Sequence, residues 1–271
     1  MKGTVRIYAL TPGDVKHSND LSRWKEILYA LAHENFDSPD LTEIDDALAV
    51  IGRDSFIQVF FTGSKPIGFC TYDRYMIDIN SKLSRLFVFE LICINSQHRT
   101  KSILYKSYRK YFYEALRHRI RNPRRWFVND YVLMFCENPR VFATYSTSKS
   151  IPVVNKRPAS RKLLDAYKTA VSFYCDKFNL PYAKPGEPTY HSSWQPKTAF
   201  SLSRNIRNER HSTNEKYQYY LETNPRWQQG YSIVLFLHFG LDNSFVAAYR
   251  VLASYFRKKI LARSWLAKVN H

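Results

Sequence analysis

The spacing of apolar residues divides the first 155 positions into strands and helices. Apolar residues alternate or run together in segments typical of strands, and recur every three or four positions in segments typical of helices. The predicted strands cover residues 5–10, 56–62, 66–77, 85–94, 126–136 and 151–154. The predicted helices cover residues 21–31, 41–51 and 101–121, with a further short helix that starts at 138–139. This order predicts a mixed α/β domain with a strand meander before its central strand-helix crossover.

Turn residues support these boundaries. Gly63-Ser64-Lys65 separates two strand-like segments and suits a hairpin turn. Gly52 follows the second predicted helix and can end it in the left-handed conformation, whereas Pro123 ends the third.

The pattern is less regular beyond residue 156. The apolar spacing predicts a helix over 159–178, a strand over 231–239 and a long helix over 244–269. Residues 179–230 are polar, aromatic and proline-containing, which predicts an irregular lid or a partly disordered segment. We therefore expect a core over 1–155 and a C-terminal extension over 156–271 that packs on it.

Composition narrows the function classes. The chain has 271 residues, 45% apolar and 24% charged, so it can bury a sizeable core, which excludes a disordered chain. Its 41 Lys and Arg against 23 Asp and Glu leave a net charge of +18. Such a field attracts phosphates, acidic proteins or anionic membrane surfaces, so we expect an acidic partner.

The cysteines and histidines indicate neither a metal site nor a disulfide framework. Four cysteines stand far apart in the sequence, and the histidines lack zinc spacing. The N-terminus lacks an apolar stretch of signal length, and no apolar run reaches the roughly 18 to 20 residues of a membrane span. We therefore expect no metal, no transmembrane segment and a reducing cytoplasmic location.

Residues 94–103 connect a predicted strand to a predicted helix. A helix start exposes backbone N–H groups and the positive end of the helix dipole, and Arg99 and Lys101 add charge. Such a site holds a phosphate or pyrophosphate. The alternative is a basic connection with solvated side chains, and the absence of glycines there favours it.

The same segment resembles the phosphate-binding signature of the GCN5-related N-acetyltransferase (GNAT) superfamily. That signature is Gln or Arg, two residues, Gly, one residue, then Gly or Ala. Arg99 matches the first position, whereas Ser102 and Leu104 stand where the signature has its small residues. Asn138 and Tyr145, seven residues apart after the next strand, resemble the superfamily's next helix.

The hairpin over 56–77, with Pro66-Ile67-Gly68-Phe69, also resembles the superfamily's second and third strands, so the resemblance covers about residues 1–155. It implies a GNAT-like mixed sheet in which the strand ending near Ile94 splays from the strand ending near Cys136. An acyl thioester, of coenzyme A or of acyl carrier protein, would lie between them and be attacked by an amine. The donor-binding residues it implies are Cys93, Ile94, Arg99, Thr100, Lys101, Ser102, Ile103, Leu104 and Asn138.

Two side chains are candidates for the proton transfers of that reaction. Tyr145 matches the position of an acid that protonates the leaving thiolate, and its alternative role is an aromatic packed beneath the sheet. Glu90 is a carboxylate in an apolar strand, where burial would raise its pKa and suit a base; its alternative is an ion pair with an arginine. Alternation predicts that Glu90, Ile92 and Ile94 share one face. Asn138 either binds the pantetheine arm or caps its helix.

Residues 99–125 form the most basic segment of the chain. They contain ten Lys or Arg and one acid, Glu114, interleaved with aromatic residues. This composition suits an acidic carrier protein or the phosphates of coenzyme A. It also suits RNA or DNA, so the alternative function is a basic nucleic-acid-binding protein without catalysis. A solvated helix face is the third interpretation.

Overall fold

The computed structural model describes thirteen ranges and single positions of the chain. They are residues 5–36, 39, 41–98, 103, 106–107, 128–136, 139–146, 150–152, 159–180, 184, 187–190, 214–229 and 231–239.

Strands and helices in these parts of the chain follow the order predicted for the first 155 residues. The strands are β1 (Val5–Ala9), β2 (Ser55–Thr62), β3 (Lys65–Ile79), β4 (Lys82–Ile94), β5 (Asn129–Cys136), β6 (Ser150–Ile151), β7 (Pro188–Tyr190) and β8 (Tyr231–Phe239). The α-helices are α1 (Ser18–Asn35), α2 (Leu41–Ala49), α3 (Pro139–Tyr145), α4 (Arg161–Phe178) and α5 (Glu215–Thr223). Short 3-10 helices cover Pro12–Val15, Ser96–His98 and Trp227–Gln229.

Local chemistry sets several of these boundaries. The Ser160 side chain accepts a hydrogen bond from the Leu163 amide at 3.3 Å and starts α4, and Asn179 ends it in the left-handed conformation with φ of 51°. Gly52 has φ of 79° after α2, and Gly63 has φ of 63° in the β2–β3 turn, as expected.

One mixed sheet contains all eight of these strands. Its order is β1-β2-β3-β4-β5-β8-β6, and β7 pairs with β8. The β4–β5 pair is parallel, whereas the other pairs are antiparallel. The mixed α/β class and the adjacency of β4 and β5 are thus confirmed. Because β8 lies between β5 and β6, residues from both sides of position 155 build this sheet, and the domain division at 155 stays a prediction.

Helices cover both faces of the sheet. On one face α1 and α2 pack on Phe69, and α4 packs on Tyr75 and Ile77 of the same strand. These β3 residues are an even number of positions apart, so they share that face. On the other face α3 and α5 contact each other and pack on Tyr72 and Phe89.

The C-terminal part of the chain differs from its predicted pattern. Residues 179–230, expected to be irregular, contain β7 and α5. The Asn214 side chain accepts from the amides of Lys216 and Tyr217 and starts α5, which buries Tyr217 and Tyr220. The predicted helix over 244–269 lies outside the described residues. Of the one over 101–121, Ile103 and residues 106–107 are described, and they are helical.

Candidate functional site

The strands β4 and β5 pair over only part of their length. Their parallel register runs from Ser84 opposite Asn129 to Phe89 opposite Met134. Beyond this point β4 continues to Ile94 beside β3, while β5 continues to Cys136 beside β8. The two strands therefore separate after Phe89 and Met134, as the resemblance implies.

A β-bulge in β4 begins where the two strands separate. The β3–β4 register shifts so that Glu90 and Leu91 together stand opposite Thr71, whose Oγ1 accepts a hydrogen bond from the Leu91 amide at 3.2 Å. Glu90 contacts α4 and Leu91 packs beneath α1, so both point to the same face. Ile92 and Ile94 pack on the opposite face. The prediction that alternation places these isoleucines on the face of Glu90 is wrong, because the extra residue reverses the alternation.

The Glu90 side chain is half-buried, and a tyrosine hydroxyl binds its carboxylate. The hydroxyl of Tyr174 in α4 donates to Glu90 Oε1 at 2.7 Å. Burial raises the pKa of Glu90 to about 8, and the negative charge of Asp73 adds to the rise. The Tyr174 hydrogen bond and the Lys177 ammonium act in the opposite direction. The side chain that binds this carboxylate is thus a tyrosine, where the alternative interpretation expected an arginine.

Asp73 is a second carboxylate on the same face. Asp73 is paired with Val88 of β4, and Val88 precedes Glu90 by two residues. Asp73 is 8% exposed. Its oxygens accept hydrogen bonds from the hydroxyls of Ser55 and Tyr75. Burial and the bond to Asp73 raise the pKa of Tyr75, so its hydroxyl remains a donor.

Tyr145 ends α3 on the other face of the sheet. Its side chain is 9% exposed and belongs to the cluster that contains Phe89, Met134 and Cys136. Because Phe89 and Glu90 are adjacent strand residues, Tyr145 and Glu90 lie on opposite faces at the separation of β4 and β5. The packed position fits the structural interpretation of Tyr145 and places it in one cluster with Phe89 and Met134, the last paired residues of β4 and β5.

Helix α5 covers the end of β5. Tyr220, fully buried, donates its hydroxyl to the carbonyl of Cys136 at 2.7 Å. The side-chain amide of Asn224 donates to the Tyr220 hydroxyl at 3.2 Å and to the Tyr231 carbonyl at 2.8 Å. These bonds join residues 214–229 to the end of β5 at Cys136 and to the start of β8 at Tyr231.

The end of β4 is held by helix α1. Cys93 is 1% exposed and its Sγ–H donates to the Leu31 carbonyl at 3.2 Å. The side-chain amide of Asn35 donates to Asn95 Oδ1 at 2.8 Å. The Asn95 backbone N–H donates to the Ile67 carbonyl at 2.9 Å. The chain is thereby fixed at the entry to the connection over 95–103.

Most of the predicted donor-binding residues lie outside the described residues. They are Arg99, Thr100, Lys101, Ser102, Leu104 and Asn138. Ile103 is 1% exposed and packs against Ile94 and Cys70, so its side chain belongs to the core. The basic segment 99–125 is described only at positions 103, 106 and 107.

Sequence reasoning did not select the groups that surround Glu90. Asp73 carries a signal of the same kind as Glu90, since it is a carboxylate within an apolar strand. Tyr174 and Lys177 carry no such signal. They lie on an amphipathic helix, and nothing in its sequence distinguishes one tyrosine among twenty or one cation among 41.

The described ranges lack the features of a metal site and of a membrane-spanning helix. They contain no group of three or more His, Cys, Asp or Glu residues placed to hold a metal ion. None of their helices has the length and apolar character needed to cross a membrane. All four cysteines are buried and outside any disulfide, as small hydrophobes would be.

Comparisons with known proteins give structural likenesses only. No protein-family model matches the chain, and no curated protein matches it either. An acetyltransferase from Thermus thermophilus is 16% identical, with 52% of this chain and 83% of that chain covered at a TM-score of 0.34. An aminoglycoside acetyltransferase from an uncultured soil metagenomic sample is 11% identical, with 52% and 88% covered at 0.38.

A third solved structure is an aminoglycoside N-acetyltransferase in complex with CoA. It is 14% identical, with 39% of this chain and 65% of that chain covered at a TM-score of 0.28. In the chain itself, the element order and the parallel β4–β5 pair that separates at Glu90 are those the resemblance implies. The described part of the chain therefore has the mixed α/β architecture that the resemblance to the GNAT superfamily implies.

Proposed function

We propose that this protein is an N-acyltransferase that moves an acyl group from a thioester donor to an amine. The observation that carries the proposal is the separation of β4 and β5 after Phe89 and Met134, with Glu90 as the first β4 residue beyond the last pair. Such an opening provides an extended thioester with a route through the sheet. Glu90 and Tyr145 flank this route from opposite faces.

The reaction needs one proton removed and one supplied. The amine nitrogen attacks the thioester carbonyl, a C–N bond forms and the C–S bond breaks. Glu90 takes a proton from the attacking amine, and Tyr145 gives one to the leaving thiolate. A backbone N–H near Cys93 or Ile94 polarises the carbonyl as negative charge develops on its oxygen. The raised pKa of Glu90, about 8, supports the role of base because it lies close to neutral pH.

The donor is an acyl-coenzyme A, with acyl carrier protein as the variant. Arg99 and Lys101, together with Thr100, Ser102, Leu104 and the backbone of Ile103, would hold its phosphates, and Asn138 its pantetheine arm. The net charge of +18 supports an anionic donor of either kind. The four buried cysteine thiols, which form no disulfide, support a reducing compartment, and we propose the cytoplasm.

The proposal is tested by incubating the full chain with donors and amines. Acetyl-coenzyme A, longer acyl-coenzyme A thioesters and an acyl carrier protein are each offered with a panel of primary amines. Free thiol and acylated amine should appear in equal amounts. Glu90→Gln should lower kcat/KM by about a hundredfold, whereas Asp78→Asn, which changes an exposed strand carboxylate, should not change it. A folded protein that releases no thiol from any of these donors would contradict the proposal.

A further inference from the structure

Helix α4 brings two side chains to the carboxylates of Glu90 and Asp73. Tyr174 bonds to Glu90, and Lys177, three residues later on the same side of the helix, lies with Nζ 3.9 Å from the ring centroid of Tyr75. Tyr75 in turn donates to Asp73. One helix therefore contacts both members of the carboxylate pair, directly or through one tyrosine.

The Tyr174 hydroxyl is a permanent donor to Glu90. Its side chain is 5% exposed, and burial together with the charge of Glu90 raises the pKa of its phenol, so it stays protonated. The hydroxyl lies 2.7 Å from Glu90 Oε1. The ring contacts two phenylalanines, Phe135 and Phe178, with centroids 5.3 Å and 4.7 Å away. The donor is thus fixed by packing that does not depend on the hydrogen bond.

The charged groups around Glu90 come from three elements, α2, β3 and α4, and oppose one another. Asp73 on β3 and Glu43 on α2 disfavour its negative charge, and Lys177 on α4 favours it. Tyr75 on β3 faces the same cluster, and Asp54, next to β2, adds negative charge near Tyr75. Tyr174 is the group that donates a hydrogen bond to the carboxylate of Glu90 in the described part of the chain. Its hydroxyl therefore opposes the repulsion by Asp73.

We propose that Tyr174 is a positioning residue that favours the ionised form of the Glu90 carboxylate and orients it to accept the proton of the attacking amine. This inference rests on the proposed function, because it gives Tyr174 its role through Glu90. It makes α4, which lies beyond the predicted core of residues 1–155, part of the catalytic apparatus. Through Tyr174, helix α4 then influences the protonation equilibrium of Glu90 in β4.

Tyr174→Phe tests the inference with little structural change, because it removes the hydroxyl and keeps the ring that contacts Phe135 and Phe178. The matched control is Tyr167→Phe, which removes a hydroxyl from a fully buried tyrosine two turns earlier on the same helix. Both variants and the wild type are labelled with ¹³C-carboxyl glutamate and titrated by NMR. The Glu90 signal is the one missing in Glu90→Gln.

Loss of a hydrogen bond to the charged form should raise the Glu90 titration midpoint by about one pH unit in Tyr174→Phe. The Tyr167→Phe midpoint should equal that of the wild type. An unchanged midpoint in Tyr174→Phe, or an equal shift in both variants, would overturn the inference.

Activity provides the second measurement. The rising limb of kcat/KM against pH should move to higher pH by the same amount in Tyr174→Phe, with donor KM unchanged. A limb that stays in place while the NMR midpoint moves would overturn the catalytic part of the inference. If the wild type transfers no acyl group at all, the proposed function fails, whereas the titration still decides whether Tyr174 controls Glu90.

Discussion

Arg85 and Asp130 face each other across the parallel pair of β4 and β5 and form a two-point ion pair. Nε of Arg85 lies 2.7 Å from Oδ1 of Asp130, and one Nη lies 2.9 Å from Oδ2. The two side chains are only 8% and 7% exposed. The pair joins the strands four residues before Phe89, the last paired residue of β4. It therefore fixes the closed end of the strand pair, while the other end opens.

We expect Asp130→Ala to destabilise the protein by about 3–5 kcal/mol, because it leaves the buried guanidinium without this carboxylate. Urea unfolding measures the change. The control is Glu187→Gln, which breaks an exposed pair with Lys184 at 3.7 Å and should cost at most about 1 kcal/mol. The double variant Arg85→Met with Asp130→Leu should recover most of the loss. A loss below about 1 kcal/mol for Asp130→Ala would refute the role of the pair.

The second prediction concerns Gly68 of β3, which is paired with Ile94 in the part of β4 that no longer pairs with β5. A Cβ at Gly68 would lie 2.3 Å from the Cys93 carbonyl oxygen and 2.9 Å from the Ile94 Cα. These are backbone atoms, which no rotamer change moves, so Gly68→Ala should cost about 1–3 kcal/mol or more. Gly13→Ala is the control, since its Cβ meets only Thr11 Oγ1 at 3.5 Å. Equal unfolding midpoints of the two variants in urea would be inconsistent with this contact.

Much of the sheet is predictable because local patterns determine it. The strand character predicted for residues 85–94 and 126–136, and the turn at Gly63, follow from side-chain type alone. The structure agrees for 85–94, for 129–136 of the second segment and for the turn, while residues 126 and 127 lie outside the described ranges. The insertion of β8 between β5 and β6 is a pairing across about 85 to 110 residues of chain, and apolar spacing does not specify such a pairing.

The site was predictable in part. Glu90 stands out as a carboxylate in an apolar strand, but its face did not follow, because Glu90 and Leu91 contain no glycine or other marker of a bulge. Tyr174 is 84 residues from Glu90 along the chain, and its contact arises only when α4 docks on the sheet. Contacts of this range depend on packing, which a one-dimensional pattern does not contain.

The third prediction is a pH dependence of stability caused by Glu90. Its pKa in the folded state is raised to about 8 from an ordinary value of 4.5, so the native protein binds more protons than the unfolded chain between these limits. Wild-type stability should therefore fall relative to that of Glu90→Gln as pH rises from about 4.5 to about 8, and level off above. We expect a relative loss of roughly 1 kcal/mol or more, since one pH unit corresponds to about 1.4 kcal/mol.

Urea unfolding at intervals from pH 5 to 9 measures this difference. Asp78→Asn, which changes an exposed carboxylate on β3, should keep the wild-type dependence. Parallel stability curves for wild type and Glu90→Gln would show that the carboxyl of Glu90 titrates normally.

The fourth prediction tests the proposed phosphate contact of Arg99. Arg99→Ala removes a charge-assisted contact worth about 1.5 to 3 kcal/mol and should raise the donor KM by roughly tenfold to a hundredfold. Lys106→Ala is the control, because Lys106 is an exposed cation of the following helical segment. Both are compared by donor saturation kinetics at fixed amine. An equal effect of the two changes would indicate general charge attraction and contradict a contact specific to Arg99.

The last prediction separates chemistry from packing at Tyr145. Tyr145→Phe keeps the ring in its cluster with Phe89 and Cys136 and removes only the hydroxyl. If that hydroxyl protonates the leaving thiolate, kcat should fall by roughly a hundredfold or more, while donor affinity changes little. Tyr219→Phe is the matched control, since the Tyr219 ring stacks on Phe142 of the same cluster at 6.0 Å. Because a poorer acid slows only C–S cleavage, a donor with a more acidic leaving thiol should restore part of the rate in Tyr145→Phe and give no such gain in Tyr219→Phe. Full kcat in Tyr145→Phe, measured where chemistry limits the rate, would assign Tyr145 to packing and the proton to another group.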